Sequence, residues 1–153
     1  MLDLKVYHPG MQHDIKDFFG KCFSDLGWAY EPHDRHSDTV NIQQEYMQSG
    51  CFWCLYDGGR LIGTVAIRTI DFLNKTAELK RLYVIEEEQG NGSGGLLFNT
   101  AVEYAKDNGF CKICADTQND RNASQHLMRK SGFKETQKYN DNQFTDLFFE
   151  LFL

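Results

Sequence analysis

From Leu2 to Tyr7 apolar and polar positions alternate, the period of a half-buried strand. From Met11 to Phe23 the period changes. Ile15, Phe18, Phe19, Cys22 and Phe23 recur at helical spacing. The polar, aromatic-bearing stretch 26–39 is too long for a mere connector, and a short helix is expected over 40–48. Two β-rich runs, Cys51–Tyr56 and Arg60–Ile70, flank Asp57-Gly58-Gly59 and predict a hairpin. Thr76–Ile85 reads as a further strand. Between Gly92 and Asn108 the spacing of Leu96, Leu97, Thr100, Ala101, Tyr104 and Ala105 is helical again, and Gly109 supplies a stop. Cys111–Asp116 reads as a strand, Asn122–Lys130 as a helix, and Phe133–Lys138 and Phe144–Leu151 as two closing strands. The predicted order is β-α-α-β-β-β-α-β-α-β-β, an α/β chain with one βαβ unit near its centre.

Composition adds boundaries rather than detail. At 153 residues, 41% hydrophobic and 25% charged, residues 1–153 read as one globular domain that needs no disulfide or metal to fold. The formal charge of −6, with no basic stripe, argues against a nucleic-acid partner and tolerates a cationic one such as an amine. No apolar run approaches the roughly 18 residues of a membrane helix, and the N-terminus lacks a signal peptide's apolar stretch. The expected setting is cytoplasmic, with no membrane partner, and the five cysteines read as reduced, buried thiols. Cys51/Cys54 and Cys111/Cys114 have the spacing of zinc pairs. Each pair lies in a predicted strand, where side chains three apart point to opposite faces and cannot easily chelate. No metal ligand is assigned.

The stretch Gln89-Gly90-Asn91-Gly92-Ser93-Gly94-Gly95 follows a strand and opens a helix. Glycines permit close backbone approach, and the free N–H groups of a first helical turn bind phosphate oxygens, so this is an anion site suited to a pyrophosphate. Gly90, Gly92 and Gly95 also satisfy a dinucleotide fingerprint, with Asp116 about 20 residues on. Against that reading, Glu86-Glu87-Glu88 separate strand from loop, and too little chain follows Asp116 for the rest of a dinucleotide domain. A glycine-rich turn without a ligand is the plainer alternative. A Walker loop would end in Gly-Lys-Ser/Thr, which is absent.

Gln89, Gly92 and Gly94 also fit the pattern Gln/Arg-x-x-Gly-x-Gly/Ala. Together with Ala77–Val84 before it and Ala123–Phe133 after it, this makes the chain resemble the GNAT superfamily of N-acetyltransferases over nearly its whole length. The resemblance implies a mixed, splayed β-sheet flanked by helices, opening between the strands at 76–85 and 111–116. It also implies acetyl-CoA as co-substrate. Its pantetheine would lie against Leu82, Tyr83 and Val84, and its pyrophosphate on Gln89, Gly90, Asn91, Gly92, Ser93, Gly94 and Gly95. Asn119 and Asn122 flank the place where the family usually has an Asn, here Arg121. The implied reaction is acetyl transfer to a primary amine, of a small molecule or a peptide, by a monomer or homodimer. A catalytically weak acyl-CoA-binding module of the same fold is the alternative.

An alkylammonium has a pKa near 10.4 and must lose a proton before it attacks. Glu78 occupies the position at which some relatives carry a general base, and would act through water. Strand parity puts it on one face with Lys80, Leu82 and Val84 unless a bulge intervenes. Met128 stands where many relatives place a proton-donating Tyr. Tyr139 is the substitute donor, and a thiol of pKa near 8.5 can also leave unaided. Trp28, Tyr30, His33 and His36, together with Tyr139-Asn140, are expected to shape the acceptor side.

Overall fold

The computed structural model describes every residue, Met1–Leu153. Strands β1 (Leu2–Val6), β2 (Cys51–Asp57), β3 (Arg60–Asp71), β4 (Thr76–Val84), β5 (Lys112–Thr117), β6 (Lys134–Glu135) and β7 (Leu147–Phe152) form one sheet. Its order is β1-β2-β3-β4-β5-β7-β6. Helices α1 (Gln12–Asp25), α2 (Ser93–Asp107) and α3 (Asn122–Lys130) complete the fold. It is the mixed α/β architecture expected.

The middle of the sheet is covered on both sides, which explains the unbroken apolar run in β2. Phe52 packs against Tyr7 and Tyr46, and Tyr56 on the same face donates to Asp14 of α1. Trp53 points the other way, onto Tyr104 of α2. Thirty-one buried residues make one continuous apolar cluster. No helix is long and apolar enough to cross a membrane.

All strand pairs are antiparallel except β4 with β5, which the α2 crossover makes parallel. That pairing ends at Leu79↔Ala115, although β4 stays bonded to β3 as far as Val84. The strands therefore part at their carboxyl ends, the place where an open α/β sheet offers a crevice. A bulge accentuates the split: Thr64 faces Tyr83 and Ala66 faces Lys80, so Arg81 and Leu82 together oppose Val65. Arg81 sits at φ 55, a costly conformation for a non-glycine residue, of order 1–3 kcal/mol. Its carbonyl accepts from Thr64 Oγ1 at 2.8 Å, and its guanidinium grips Asp38 with two bonds of 2.7 and 2.8 Å. The bulge ends the simple parity of the strand, so Glu78 and Lys80 do not share one alternating series with Leu82 and Val84.

Three other expectations need correction. The helix over 40–48 is a 3-10 turn at Ser37–Val40 and a π-type turn at Gln43–Met47, which buries Tyr46 with its hydroxyl on Asp38. The strand over 133–138 is only Lys134–Glu135, and the last strand begins at Leu147 rather than Phe144. Between them, Asn140 and Asn142 accept from the backbone N–H two residues on, an arrangement that competes with ladder pairing. Finally, all five cysteines are free but Cys111 is exposed rather than buried.

Candidate active site

The crevice between β4 and β5 is a cleft walled by Leu79–Tyr83 of β4, by Asp116, Thr117 and Gln118, by Arg121 at the N-cap of α3, and by Ser124 and Met128 on α3. Trp28 and His36 close one side, and Asn142, Phe144 and Thr145 another. A second cavity, lined by Asp38, Glu45, Arg68 and residues 140–144 among others, shares Arg35, Lys80 and Arg81 with the first.

At the open end of the cleft, β4 leads through the 3-10 turn Glu86–Glu88 into the glycine loop. Gly90 and Gly92 have φ of 84 and 93, and Gly92 is the N-cap of α2 without a side-chain cap. A Cβ placed on Gly90, Gly92 or Gly95 would meet nothing within 4 Å. The loop is thus open around these glycines, while the Ser93 N–H at the start of α2 donates to Asn91 Oδ1 at 3.4 Å. Gln89 donates to the Val84 carbonyl at 2.9 Å and ties the loop to β4. Asn91 bonds Glu88 and receives the Ser93 hydroxyl, while Ser93 itself is buried. Glu87 is held by Lys21 at 2.7 Å and lies 3.9 Å from Arg60, which offsets part of the acidic turn beside the loop.

Of the expected cofactor contacts, Leu82 and Tyr83 line the cleft, whereas Val84 and residues 89–95 are not among its lining residues. Asn119 and Asn122 are both exposed and do not line it; the Asn119 N–H is bound by Asp146. Arg121, between them, does line it, stacked over Tyr83 at 5.0 Å and Trp28 at 5.8 Å. Met128 is buried in the wall. Tyr30 and His36 are packed against Phe23. His36 Nδ1 accepts from the Glu31 N–H, and burial, with Arg81 and Arg35 nearby, lowers its pKa to about 4. It is therefore neutral at pH 7, with its proton on Nε2.

Beneath the cleft Glu78 and Asp116 anchor a polar network that crosses the split. Glu78 is 1% exposed, accepts from Arg68 at 2.9 and 3.1 Å through one oxygen, and from Tyr139 at 2.7 Å and Asn140 at 3.1 Å through the other. Asn140 also donates to Asp116 at 2.8 Å, as do Asn142 and Thr145 at 3.1 Å, and Lys80 lies 3.3 Å away. Burial pushes the Asp116 carboxyl up, but Lys80 and the amides of Asn140 and Asn142 outweigh it and the net shift is down. Burial above all, then the charges of Glu78 and Asp116, drive the Tyr139 hydroxyl far above its ordinary value. Residues 139–145 thus form a strap laid over both strands. The sequence reading found Glu78 and Tyr139 separately. It named Asn140 only as a contributor to acceptor choice, and it missed Arg68 and Asn142, of which Asn142 has its only local signal in the polar Asn140-Asp141-Asn142 run.

A sheet opened at its one parallel pair, with a glycine loop leading from β4 into the crossover helix, is the feature of this fold that offers room for a ligand between two strands. Comparison with known proteins makes the class specific. The family model "Acetyltransferase (GNAT) family" matches residues 12–133, and the chain belongs to that family. It is 29% identical over 105 residues to human N-acetyltransferase 8B, and 29% identical over 101 residues to a Xenopus tropicalis N-acetyltransferase of the camello type. In each case the match covers 65% of this chain and 46% of the relative, so the chain spans about half the length of these curated relatives. Among solved structures, a GNAT-family acetyltransferase from Staphylococcus aureus superposes with a TM-score of 0.87 at 18% identity, covering 98% of both chains. The Salmonella typhimurium protein yncA, solved with its cofactor acetyl-CoA, gives 0.74 at 20% identity over 99% of this chain and 94% of that one. At these identities the likeness is one of fold.

Proposed function

We propose that residues 1–153 work as one acetyl-CoA-binding domain that transfers the acetyl group to a primary amine. The observation that carries this reading is the cleft where β4 and β5 part, with β4 running on into the glycine loop that opens α2. The loop amides around Gly92–Gly95 would bind the pyrophosphate, with Arg121 supplying the positive charge that the loop lacks. Pantetheine would run along Leu82, Tyr83 and Val84, pairing with the open edge of β4 as a strand would.

The amine would enter from the second cavity and attack the thioester carbonyl. Its N–C bond forms, the C–S bond breaks, and a strand N–H near Val84 receives the developing oxyanion. Neither Glu78 nor Tyr139 lines the cleft or the second cavity, so the base role of Glu78 would run through water and Tyr139. The ammonium proton reaches the Tyr139 oxygen by way of water while the Tyr139 proton passes to Glu78 over their 2.7 Å bond. The second proton, lost from nitrogen as the amide forms, goes to solvent. Coenzyme A leaves as thiolate, whose pKa near 8.5 makes a dedicated acid at Met128's position dispensable.

The test is release of free thiol from acetyl-CoA over a panel of amines, with product mass confirming N-acetylation. Tyr139→Phe and Glu78→Gln should each lower kcat by about 10²-fold or more while the Kd for acetyl-CoA stays unchanged. Unchanged kcat in both variants removes the relay. The weaker-catalyst alternative draws support from Met128 in the cleft wall and from the four hydrogen bonds already made to Glu78. It predicts tight acetyl-CoA binding with no turnover on any amine.

A further inference from the structure

His36 lies on the loop between α1 and β2, lines the cleft, and is 5% exposed. Its ring is held from several directions. Nδ1 accepts from the Glu31 N–H at 2.9 Å, and the ring packs 4.4 Å from Phe23 and 5.7 Å from Tyr30. The His36 carbonyl accepts from the Thr39 N–H at 3.0 Å and from the Thr39 hydroxyl at 2.7 Å. Burial first, then Arg81 of β4 and Arg35, against the opposing charges of Asp38 and Asp34, hold the ring neutral down to about pH 4. With Nδ1 occupied as an acceptor, the single ring proton is on Nε2. That N–H finds no acceptor in the protein. The ring's one hydrogen bond is made through Nδ1, and the only fully enclosed side-chain atom without a partner is Arg35 Nε, so His36 Nε2 is open to the cleft.

The position of this donor matters as much as its lack of a partner. The cleft and the second cavity meet at Arg35, Lys80, Arg81, Asn142 and Phe144. His36 adjoins Arg35 in the chain, and Arg81 reaches from the β4 bulge to Asp38, two residues beyond His36. The cations of the junction are neutralised in place: Arg35 lies 3.2 Å from Glu31, Lys80 lies 3.3 Å from Asp116, and Arg81 forks Asp38. On the acetyl-transfer reading, an amine from the second cavity meets the thioester at this junction. A neutral, fixed N–H in a largely dry wall is a strong partner for charge that develops on a carbonyl oxygen, and leaving it unpaired costs free energy that such an oxygen recovers.

We propose that His36 is a catalytic residue whose Nε2–H donates to the thioester carbonyl oxygen of bound acetyl-CoA, beside the strand N–H. The proposal rests on the acetyl-transfer reading and adds a side chain to its chemistry. As the amine nitrogen bonds to the carbonyl carbon, the C=O π pair moves onto oxygen and His36 steadies it without giving up its proton. The pair returns as the C–S bond breaks and the thiolate leaves.

The test is side-chain NMR of the intact wild-type protein, labelled with 15N at histidine. It is titrated with acetyl-CoA and, separately, with S-ethyl-CoA, which has the same chain without the carbonyl oxygen. Acetyl-CoA should move the His36 Nε2 proton downfield, and S-ethyl-CoA should leave it in place while binding to the same backbone. In turnover, His36→Phe should lower kcat by about 10²-fold with the Kd for acetyl-CoA changed at most about threefold. His36→Gln, which keeps an N–H donor, should retain part of the lost rate. A His36 resonance that ignores acetyl-CoA while the Leu82 and Tyr83 amides respond overturns the proposal. So does an equal response to both compounds, or wild-type kcat in His36→Phe. If His36→Phe does not fold, the wild-type titration decides alone. Turnover of amines alongside a silent His36 leaves the acetyl-transfer reading standing without this residue, whereas acetyl-CoA that binds nowhere defeats both.

Discussion

Single residues set two pH windows. His36 is held near pKa about 4 in the fold, chiefly by burial, against roughly 6.5 in an unfolded chain. Between those values the unfolded chain takes up a proton that the folded one refuses. Stability is therefore full above about pH 6.5 and falls as pH drops toward 4, by up to ~3 kcal/mol. Urea titrations at stepped pH should show this slope, and His36→Gln should flatten it. Asp38 and Asp116 act lower. Burial opposes the charge of each, but Arg81 with Tyr46, and Lys80 with the strap amides, bring both below the ordinary carboxylate value. Their contribution is present above about pH 4 and is lost as pH falls through their folded values. A midpoint that stays constant from pH 7 to 4.5 contradicts the His36 assignment.

At the scale of elements, the bulge in β4 depends on side chains distant in sequence. Arg81→Ala removes the fork to Asp38 and leaves that carboxylate, 15% exposed, with only Tyr46. Removing one partner of such a pair typically costs about 3–5 kcal/mol, and a loss near that size is expected in the unfolding free energy. The glycine loop depends instead on open space. Gly92→Trp would place a large side chain at a positive-φ N-cap and fill the anion site, so acetyl-CoA binding should vanish while the far-UV circular dichroism is kept. These two elements mark what was legible in the chain. Helical and strand periods located α1, α2, α3 and β2–β5 to within a residue or two, because each buries a regular face. Glycines before α2 marked the open, positive-φ loop proposed to take the anion, because φ and helix polarity are local. The bulge, the strap and the turns at 37–47 were not legible. Each is held by partners far along the chain: Asp38 to Arg81, Asn140 to Glu78, Tyr46 to Asp38. Of the candidate site, the loop and Glu78 could be read from spacing. Arg68, Arg35 and the strap became visible only once β3, β4 and the 139–145 segment lay side by side.

For the whole molecule, one topological fact governs the rest. A single parallel pair in an otherwise antiparallel sheet opens at its carboxyl end, and the crossover helix begins in the glycine loop that follows β4. The split, the strap that crosses it and the second cavity behind it leave two adjoining spaces, the cleft and the cavity, which share Arg35, Lys80, Arg81, Asn142 and Phe144. A ligand that binds only the folded protein stabilises it, by about 2.7 kcal/mol at a hundred times its Kd. Acetyl-CoA should raise the melting temperature accordingly, and NAD should not. The most direct measurement is amide NMR of the uniformly labelled chain titrated with acetyl-CoA and, separately, with S-acetyl-pantetheine, which lacks the pyrophosphate. Acetyl-CoA should move the backbone resonances of both Leu82–Val84 and Gly92–Gly95, and S-acetyl-pantetheine only those of Leu82–Val84. Shifts confined to other parts of the chain, or a glycine loop that responds equally to both compounds, would contradict the account.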